Sequence, residues 1–505
     1  MARTYLIPFV LLFFLKTVLA AVFPVFGDEA YYVYWGSNPS GGFYDLPPMI
    51  GWWLAPLLKV SAHPLWIRMG SLLAPVLISI GIHEWLLKPK GREISSLGAL
   101  LFFAFPLPFL TVLSFPDVPL LFFSFFSALL FHAGVTRQKN FFSPMLMMAG
   151  SLFGAAFLSK YFAAFLLPAF VLWAWPRSAH RAGSVLSFFA GAAPFLFQHI
   201  LWNERNCRAN AIFNLVTRQR VFEGSPVETT GFLLLHLALV SFTVLPFLEW
   251  RKGRGGERSS DPQSFLFLLW FVPVLIFLIT AVLGRGQGLH WLLFLTPFFS
   301  AWAACKLERV RLRRAFLLSA FVAATLASVV SVSFLMPERF VHPEVKQRFA
   351  FEFGVITGAP EFVPQIEAQT EGSSALLFQS YGLASLVHYE FLRFGNPGRT
   401  PAFGVAMSGS RFGRVFDFTT DWAELEGKTV SIIKTGHPES AKFAPYFRSV
   451  KEGRSFFRGA AYSVLTGEGF DARKFWGERV LPELEEFYPS GFAGACRLKE
   501  VFRAP

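Results

Sequence analysis

Two adjacent carboxylates, Asp28 and Glu29, follow the first apolar segment of the chain, in the sequence FGDEAYYVYW. A charge beside hydrocarbon costs several kcal/mol, so two acids at the end of such a segment indicate a functional site. Aromatic residues crowd the sequence that follows, at positions 31, 32, 34, 35, 43, 44, 52 and 53. Aromatic faces pack against sugar rings, and a carboxylate accepts a hydroxyl proton as a general base. This combination at a membrane surface predicts a site that handles a sugar.

Further polar residues lie at the ends of later apolar segments, and the predicted topology puts them on the same side of the membrane. The candidates for substrate binding are Tyr44, Asp45, Lys160, Tyr161, Arg218, Arg220, Arg285 and His290. Lysine and arginine would neutralise a phosphate leaving group, while Asp117 joins Asp28 and Glu29 as a candidate catalytic acid. The chemistry that this set permits is sugar transfer from a lipid-linked sugar phosphate.

Each of these residues also has a purely structural explanation. Asp117 follows a proline at a helix start and could serve as an N-cap. Lys160 could extend to the membrane interface, and His290 beside Trp291 could be an interfacial aromatic pair. Asp45 precedes two prolines and could form a turn. The functional interpretation rests on the occurrence of acids and bases together on one side.

The composition indicates a polytopic membrane protein, because 53% of the 505 residues are hydrophobic and 63 are phenylalanine. Residues 1–336 contain 26 Lys and Arg against 13 Asp and Glu, whereas residues 337–505 contain 20 of each kind. The excess positive charge therefore lies in the apolar part, where it sets topology. Its basic runs are too few for a nucleic-acid groove. The three cysteines indicate neither a metal site nor a disulfide framework, and whether Cys207 and Cys496 pair stays open.

About eleven apolar windows are long enough, or nearly so, to span a membrane. They fall near residues 5–26, 64–87, 97–114, 116–135, 142–159, 161–176, 184–202, 229–250, 264–284, 289–305 and 314–336. One set of connecting loops contains 16 Lys and Arg and the opposite set contains seven. The first set is expected to be cytoplasmic, so the acidic first loop, residues 27–63, faces outside.

The two ends of the chain differ in character. The first segment could be a signal peptide cut near Ala20 or Ala21, but its length favours a retained helix. Residues 337–505 mix strand-like runs at 375–379 and 429–435 with a helix-like stretch at 382–393. The expected architecture is an all-α membrane domain over residues 1–336, followed by a small extracytoplasmic α/β domain over residues 337–505.

Several motifs resemble those of the bacterial GT-C glycosyltransferases, the relatives of the lipid A aminoarabinose transferase and the protein O-mannosyltransferases. The similar segments are GDEAYYVYW, GFYDLPPMIGWW, SFPDVPLLFF, FLSKYFAAFLLP, FQHILWN, GLHWLLFLTPFF and QSYGLASLVHYEF. The resemblance implies the GT-C fold and a polyprenyl-phosphate-linked sugar as donor. It also implies an acceptor outside the cytoplasmic membrane: lipid A or lipopolysaccharide, another glycan or a protein hydroxyl.

The same resemblance assigns roles to individual residues. It makes Asp28 the general base, with Glu29 beside it, and it matches Asp117 and Lys160 to site residues of the family. Leu46 departs from the pattern, because many relatives have histidine before the two prolines. Some relatives bind a divalent metal near the acids, for which Asp28 and Asp117 are the candidate ligands here. The rival interpretation, a transporter of a lipid-linked sugar, predicts charges near the membrane midplane and inverted repeats. Neither is visible in the sequence.

Overall fold

The computed structural model describes residues 3–218, 224–247, 262–286, 288–335, 344, 350–395, 401–406, 412–436 and 439–487. Its α-helices, in chain order, are α1 (Arg3–Val22), α2 (Gly27–Ser37), α3 (Met49–Leu58), α4 (Pro64–Ile67), α5 (Met69–Phe103), α6 (Pro106–Leu110), α7 (Asp117–Arg137), α8 (Pro144–Phe157), α9 (Leu167–Ala174), α10 (Arg181–Arg205), α11 (Ala209–Ile212), α12 (Pro226–Ser241), α13 (Gln263–Val282), α14 (Thr296–Lys306), α15 (Arg309–Leu335), α16 (Ala350–Gln369), α17 (Tyr381–Phe394), α18 (Val415–Thr419), α19 (Ser440–Phe443), α20 (Ala472–Phe475) and α21 (Leu481–Phe487). The strands are β1 (Ala375–Phe378), β2 (Ala402–Val405), β3 (Val430–Thr435), β4 (Ser449–Phe457) and β5 (Ala460–Glu468). Among the shorter segments, 3₁₀ turns occupy Tyr161–Leu166 and Leu289–Leu295, and a π-helical turn occupies Phe213–Thr217.

Six helices of the described chain are long and apolar enough to cross a membrane, and the chain is therefore a membrane protein. Their ranges are Tyr5–Val22, Pro64–Phe103, Asp117–Arg137, Arg181–Arg205, Gln263–Val282 and Arg309–Leu335. Shorter apolar helices occupy Met49–Leu58, Pro144–Phe157, Tyr161–Ala174 and Pro226–Leu239. The expected number of about eleven spans is not confirmed and stays a prediction.

Helix α5 shows why a count of helices differs from a count of apolar windows. Its 35 residues would extend roughly 50 Å, well beyond a hydrocarbon core of about 30 Å. The helix is broken at Gly91, which has φ +77°, a conformation that glycine adopts without a steric penalty. Gly91 lies in the basic segment KPKGR, between the windows 64–87 and 97–114 of the sequence analysis. The single long helix thus contains two apolar segments joined at a kink.

The chain divides into two compact units. The first contains residues 1–23, 68–199 and 219–335, and the second contains residues 24–67, 200–218 and 336–505. The expected domain boundary after residue 336 stays a prediction. The second unit combines the C-terminal region with the first loop and with residues 200–218, which include the end of α10.

Helices α7 and α8 of the first unit form an antiparallel pair joined by a short connection, residues 138–143. The Ser127 hydroxyl in α7 donates a buried 2.8 Å hydrogen bond to the carbonyl oxygen of Ala149 in α8. Antiparallel packing brings the start of α7 and the end of α8 to the same end of the pair. Two of the candidate residues, Asp117 and Lys160, lie at that end.

The second unit is built on a five-stranded sheet with the order β2-β1-β3-β5-β4. The first three strands in that order are parallel, and β5 and β4 continue the sheet antiparallel. The structure confirms both predicted strands, as β1 and β3, and the predicted helix, as α17. Residues of α2 and α3 share one buried apolar cluster with α16, α17 and the sheet. The acidic first loop is therefore part of the core of this unit.

Candidate functional site

Asp28 lies in the first turn of α2 and is exposed, whereas the neighbouring Glu29 is fully buried. The start of α2 lies close to α17, as the position of Gly27 shows: a Cβ atom placed on it would lie 3.0 Å from the Cα atom of Gly382. This approach lets the Tyr381 hydroxyl donate a 3.2 Å hydrogen bond to Oδ1 of Asp28. The two acids therefore differ in their access to solvent: the Asp28 carboxylate is open to a substrate, whereas the Glu29 side chain lies in the interior.

Asp45 is buried and surrounded by neutral hydrogen-bond donors. The Tyr31 hydroxyl donates to its Oδ2 atom, and the backbone N–H of Gly413 donates to Oδ1 at 3.1 Å. Its backbone carbonyl accepts a 2.9 Å hydrogen bond from the Asn214 amide. Burial raises the pKa of the Asp45 carboxyl from 3.8 to about 6, although these two donors and the positive charge of Arg218 oppose the shift. This acid is thus poised to change its protonation state slightly below neutral pH.

The Tyr44 ring is buried in an aromatic cluster, 4.9 Å from the ring of Phe213 and 5.8 Å from that of Phe418. The Asn210 side-chain amide holds this segment through a 2.7 Å hydrogen bond to the carbonyl oxygen of Phe43. The cluster fixes the loop that carries Asp45. A role of Tyr44 in substrate binding stays a prediction.

Asp117 and Lys160 form a buried ion pair in the first unit, with 2.7 Å between Oδ2 and Nζ and 5% of each side chain exposed. Asp117 is the first residue of α7, but the cap position is Pro116 and shows no side-chain cap hydrogen bond. The N-cap explanation of Asp117 is therefore wrong. Lys160 has extended backbone angles directly before a 3₁₀ turn, and its burial excludes the interface-anchor explanation.

A second polar contact follows immediately along the chain. The Tyr161 hydroxyl lies 2.7 Å from Nε2 of His199 in α10, and His199 is buried. This contact pins the 3₁₀ turn after Lys160 to another helix of the same unit. Sequence reasoning did not single out His199, because the motif FQHILWN offered no partner for it.

The remaining predicted residues occupy varied positions. Arg218 is partly buried in the second unit, close enough to Asp45 to lower the pKa of its carboxyl. Arg285 is partly buried and His290 is exposed, both in the first unit. Arg220 lies outside the described residues.

The candidate residues thus form two groups, one in each compact unit. Asp28, Glu29, Tyr44, Asp45 and Arg218 belong to the second unit. The first unit holds Asp117, Lys160, Tyr161, Arg285 and His290. Four residues donate hydrogen bonds to Asp28 or Asp45 and were not predicted as site residues: Tyr31, Tyr381, Asn214 and Gly413. Tyr381 lies within the quoted motif QSYGLASLVHYEF, which was the available signal.

The described residues contain no group of three or more His, Cys, Asp or Glu side chains that could hold a metal ion. Asp28 and Asp117, the ligands that the family resemblance suggested, lie in different units.

The raised pKa of Asp45 predicts a pH-dependent stability. The folded protein holds this proton more tightly than the unfolded chain, so the contribution is complete below pH 3.8 and is lost as the pH rises through about 6. Relative to Asp45→Asn, the wild type should lose up to about 3 kcal/mol of stability across this window, at 1.36 kcal/mol per pKa unit. The measurement is the unfolding temperature of purified protein from pH 4 to pH 7.5.

Glu424→Gln, which changes an exposed carboxylate of the same unit, is the matched control and should follow the wild type. If wild type and Asp45→Asn change in parallel over this range, the carboxyl does not titrate there.

The family model described as dolichyl-phosphate-mannose-protein mannosyltransferase matches residues 45–202. The lipid A galacturonosyltransferase RgtD of Rhizobium johnstonii is 28% identical over 182 residues, which cover 35% of this chain and 38% of that protein. The alignment therefore spans less than half of this relative.

The structure resembles that of ArnT from Cupriavidus metallidurans over nearly its whole length. The crystal structure bound to undecaprenyl phosphate aligns with a TM-score of 0.61 at 13% identity, covering 92% of this chain and 98% of that one. The apo structure gives the same TM-score and identity, with 91% and 97% covered. At this identity the likeness concerns the fold. The chain therefore has the fold of ArnT, the GT-C fold that its motifs predicted.

Proposed function

We propose that this chain is a membrane glycosyltransferase that moves one sugar from a polyprenyl-phosphate-linked donor to an extracytoplasmic acceptor, with inversion at the anomeric carbon. The acceptor classes are lipid A or lipopolysaccharide, another glycan, and a protein hydroxyl. Three findings support the proposal: a mannosyltransferase family match, a relative that acts on lipid A, and an ArnT structure that binds undecaprenyl phosphate. All three concern glycosyltransferases, so a transporter of a lipid-linked sugar is not favoured.

The observation that carries the proposal is the exposed carboxylate of Asp28, held by the Tyr381 hydroxyl at the start of α2. In the proposed step, the acceptor hydroxyl oxygen attacks the anomeric carbon while Asp28 accepts the hydroxyl proton. The bond between the anomeric carbon and the phosphate oxygen breaks, and its electron pair leaves with the polyprenyl phosphate. Attack from the face opposite the leaving group accounts for the inversion.

The donor phosphate is assigned to Lys160, whose ammonium group can stabilise the negative charge that develops on the leaving group. Asp117 holds Lys160 at 2.7 Å, which fixes the ammonium group and lowers the cost of burying it. Tyr161 lies next to this pair, and Arg285 and His290 are proposed as further donor contacts. In the other unit, Tyr44, Asp45 and Arg218 are proposed as sugar or acceptor contacts.

The proposed site faces outside the cytoplasmic membrane, and about eleven spans would put the N-terminus inside and the C-terminal region outside. The asymmetry of 16 against seven basic residues supports this orientation. Cys207 provides a second argument, because it is disulfide-bonded and disulfides persist in oxidising compartments. Cys496, the cysteine whose pairing with Cys207 the sequence leaves open, lies outside the described residues.

The general-base assignment predicts that Asp28→Asn nearly abolishes transfer. Asparagine keeps the shape and can still accept the Tyr381 hydrogen bond, but it cannot take the acceptor proton. We expect a rate loss of about 10²–10⁴ with donor binding retained, measured as sugar transfer from a polyprenyl-phosphate donor by purified protein. Asp421→Asn, another exposed acid of the same unit, is the control and should keep full activity. Normal transfer by Asp28→Asn would refute the assignment.

The ion pair allows a test that separates support of the fold from donor binding. Lys160→Met should cost about 3–5 kcal/mol, because it leaves Asp117 charged and buried without its partner. The double variant Lys160→Met/Asp117→Asn removes both charges and should recover most of the lost unfolding temperature. Its use of the donor should stay impaired, because no ammonium group remains to contact phosphate.

Unfolding temperatures and the donor concentration dependence of the rate would be measured for the wild type, the single variant and the double variant. A stable double variant that transfers sugar with normal donor dependence would show that the pair is structural only.

Cysteine accessibility tests the proposed orientation. Asn38→Cys and Lys451→Cys should react with an impermeant maleimide added outside cytoplasmic membrane vesicles of native orientation. Asn140→Cys, in a predicted cytoplasmic loop, should react only after permeabilisation. All three positions are exposed, so failure to react reports the side of the membrane rather than burial. Labelling of positions 38 and 140 from the same side would contradict the model.

A further inference from the structure

The first unit contains a large cavity that the proposed reaction does not use. Its volume is about 700 Å³, within the range of sites that hold small molecules, and it lies between α12, α13, α14 and the 3₁₀ turn Leu289–Leu295. The side chains that line it are almost all apolar or aromatic, among them Ala238, Trp270, Phe299 and Trp302. Ala238 belongs to an apolar helix and Trp270 to a helix that is long and apolar enough to span a membrane, so the cavity suits hydrocarbon chains.

One end of the cavity is charged. Lys306, the last residue of α14, is exposed and is the charged member of the described lining. Nearby basic side chains are already engaged: the Lys90 ammonium donates to the Cys305 carbonyl at 3.3 Å, and Arg309 pairs with Glu93 at 2.6 Å. The described residues provide no ion pair for Lys306. Lys306 therefore places a positive charge, without an ion pair among the described residues, at one end of an apolar cavity.

Trp302 lies one turn before Lys306, and its ring is 5.1 Å from that of Trp270. Tryptophan favours the level of the lipid headgroups, so this end of the cavity has the character of a membrane interface. Lys306 also begins the basic segment KLERVRLRR, one of the loops rich in Lys and Arg that the topology prediction puts together on one side of the membrane. Basic pockets between membrane helices on that side are suited to anionic lipid headgroups.

We infer that this cavity binds a phospholipid with an anionic headgroup, its acyl chains between α12, α13 and α14 and its phosphate at Lys306. A lone lysine at a helix end often only extends to the interface. The apolar cavity that opens beside Lys306 is the observation that goes beyond this explanation. The inference does not depend on the proposed glycosyltransferase activity.

The experiment is native mass spectrometry of the purified full chain, with phosphatidylglycerol and phosphatidylcholine of identical acyl chains as probes. We expect one tightly held phosphatidylglycerol per chain. Lys306→Gln should weaken its binding about fivefold, the effect of one basic residue near an anionic lipid, and should leave phosphatidylcholine unaffected. Ala238→Trp should weaken both lipids, because the added ring fills the cavity.

Arg314→Glu changes an exposed charge of the same basic segment and is the matched control, which should bind like the wild type. Unfolding temperatures of all variants would confirm that each one is folded. Equal binding of the two lipids by the wild type, or an equal loss with Arg314→Glu, would overturn the inference in favour of a general surface attraction. Displacement of phosphatidylglycerol by polyprenyl phosphate from the wild type, but not from Ala238→Trp, would overturn it in favour of a donor-tail site.

Discussion

The buried ion pair between Asp117 and Lys160 sets the strictest condition on this fold. Either charge buried alone would cost several kcal/mol, so the start of α7 and the chain after α8 must stay in contact. The antiparallel packing of α7 and α8, held by the Ser127 hydroxyl on the Ala149 carbonyl, provides that contact. The contact between Tyr161 and His199 then fixes the next turn against α10. These contacts together allow the ammonium group of Lys160 to be buried at the end of an apolar helix.

In the second unit, the groups that donate hydrogen bonds to the buried carboxyl of Asp45 are neutral. Asp45 is buried among a tyrosine hydroxyl and a backbone N–H, and burial outweighs these donors, so the pKa of its carboxyl rises to about 6. Asp28, in contrast, is exposed and accepts one hydroxyl hydrogen bond, from Tyr381. Of these two acids, Asp28 is therefore the one that is open to solvent.

The motifs in the sequence singled out the acids and Lys160 as candidate site residues. The local pattern also predicted two strands of the small sheet, β1 and β3. The motifs could not predict which groups the acids contact. Tyr381 reaches Asp28 across 353 residues, and Gly413 reaches Asp45 across 368. A single sequence contains no signal for such pairings; the contact between Tyr381 and Asp28 arises when α2 packs on α17. The ion pair between Asp117 and Lys160 likewise depends on where two residues that are 43 positions apart lie in space.

Two other buried cations show that a charge in an apolar segment need not mark a substrate site. The Lys16 ammonium donates to the carbonyl oxygens of Pro108, Phe109 and Thr111 at 2.8 to 2.9 Å. The Arg68 guanidinium donates to carbonyl oxygens at the end of α1. Carbonyls at helix ends have no partner within the helix, and in a membrane water cannot replace one. Lys16 therefore anchors the segment that leads from α6 to Asp117. The cation that holds this backbone, Lys16, is thus a different residue from Lys160, the cation that pairs with Asp117.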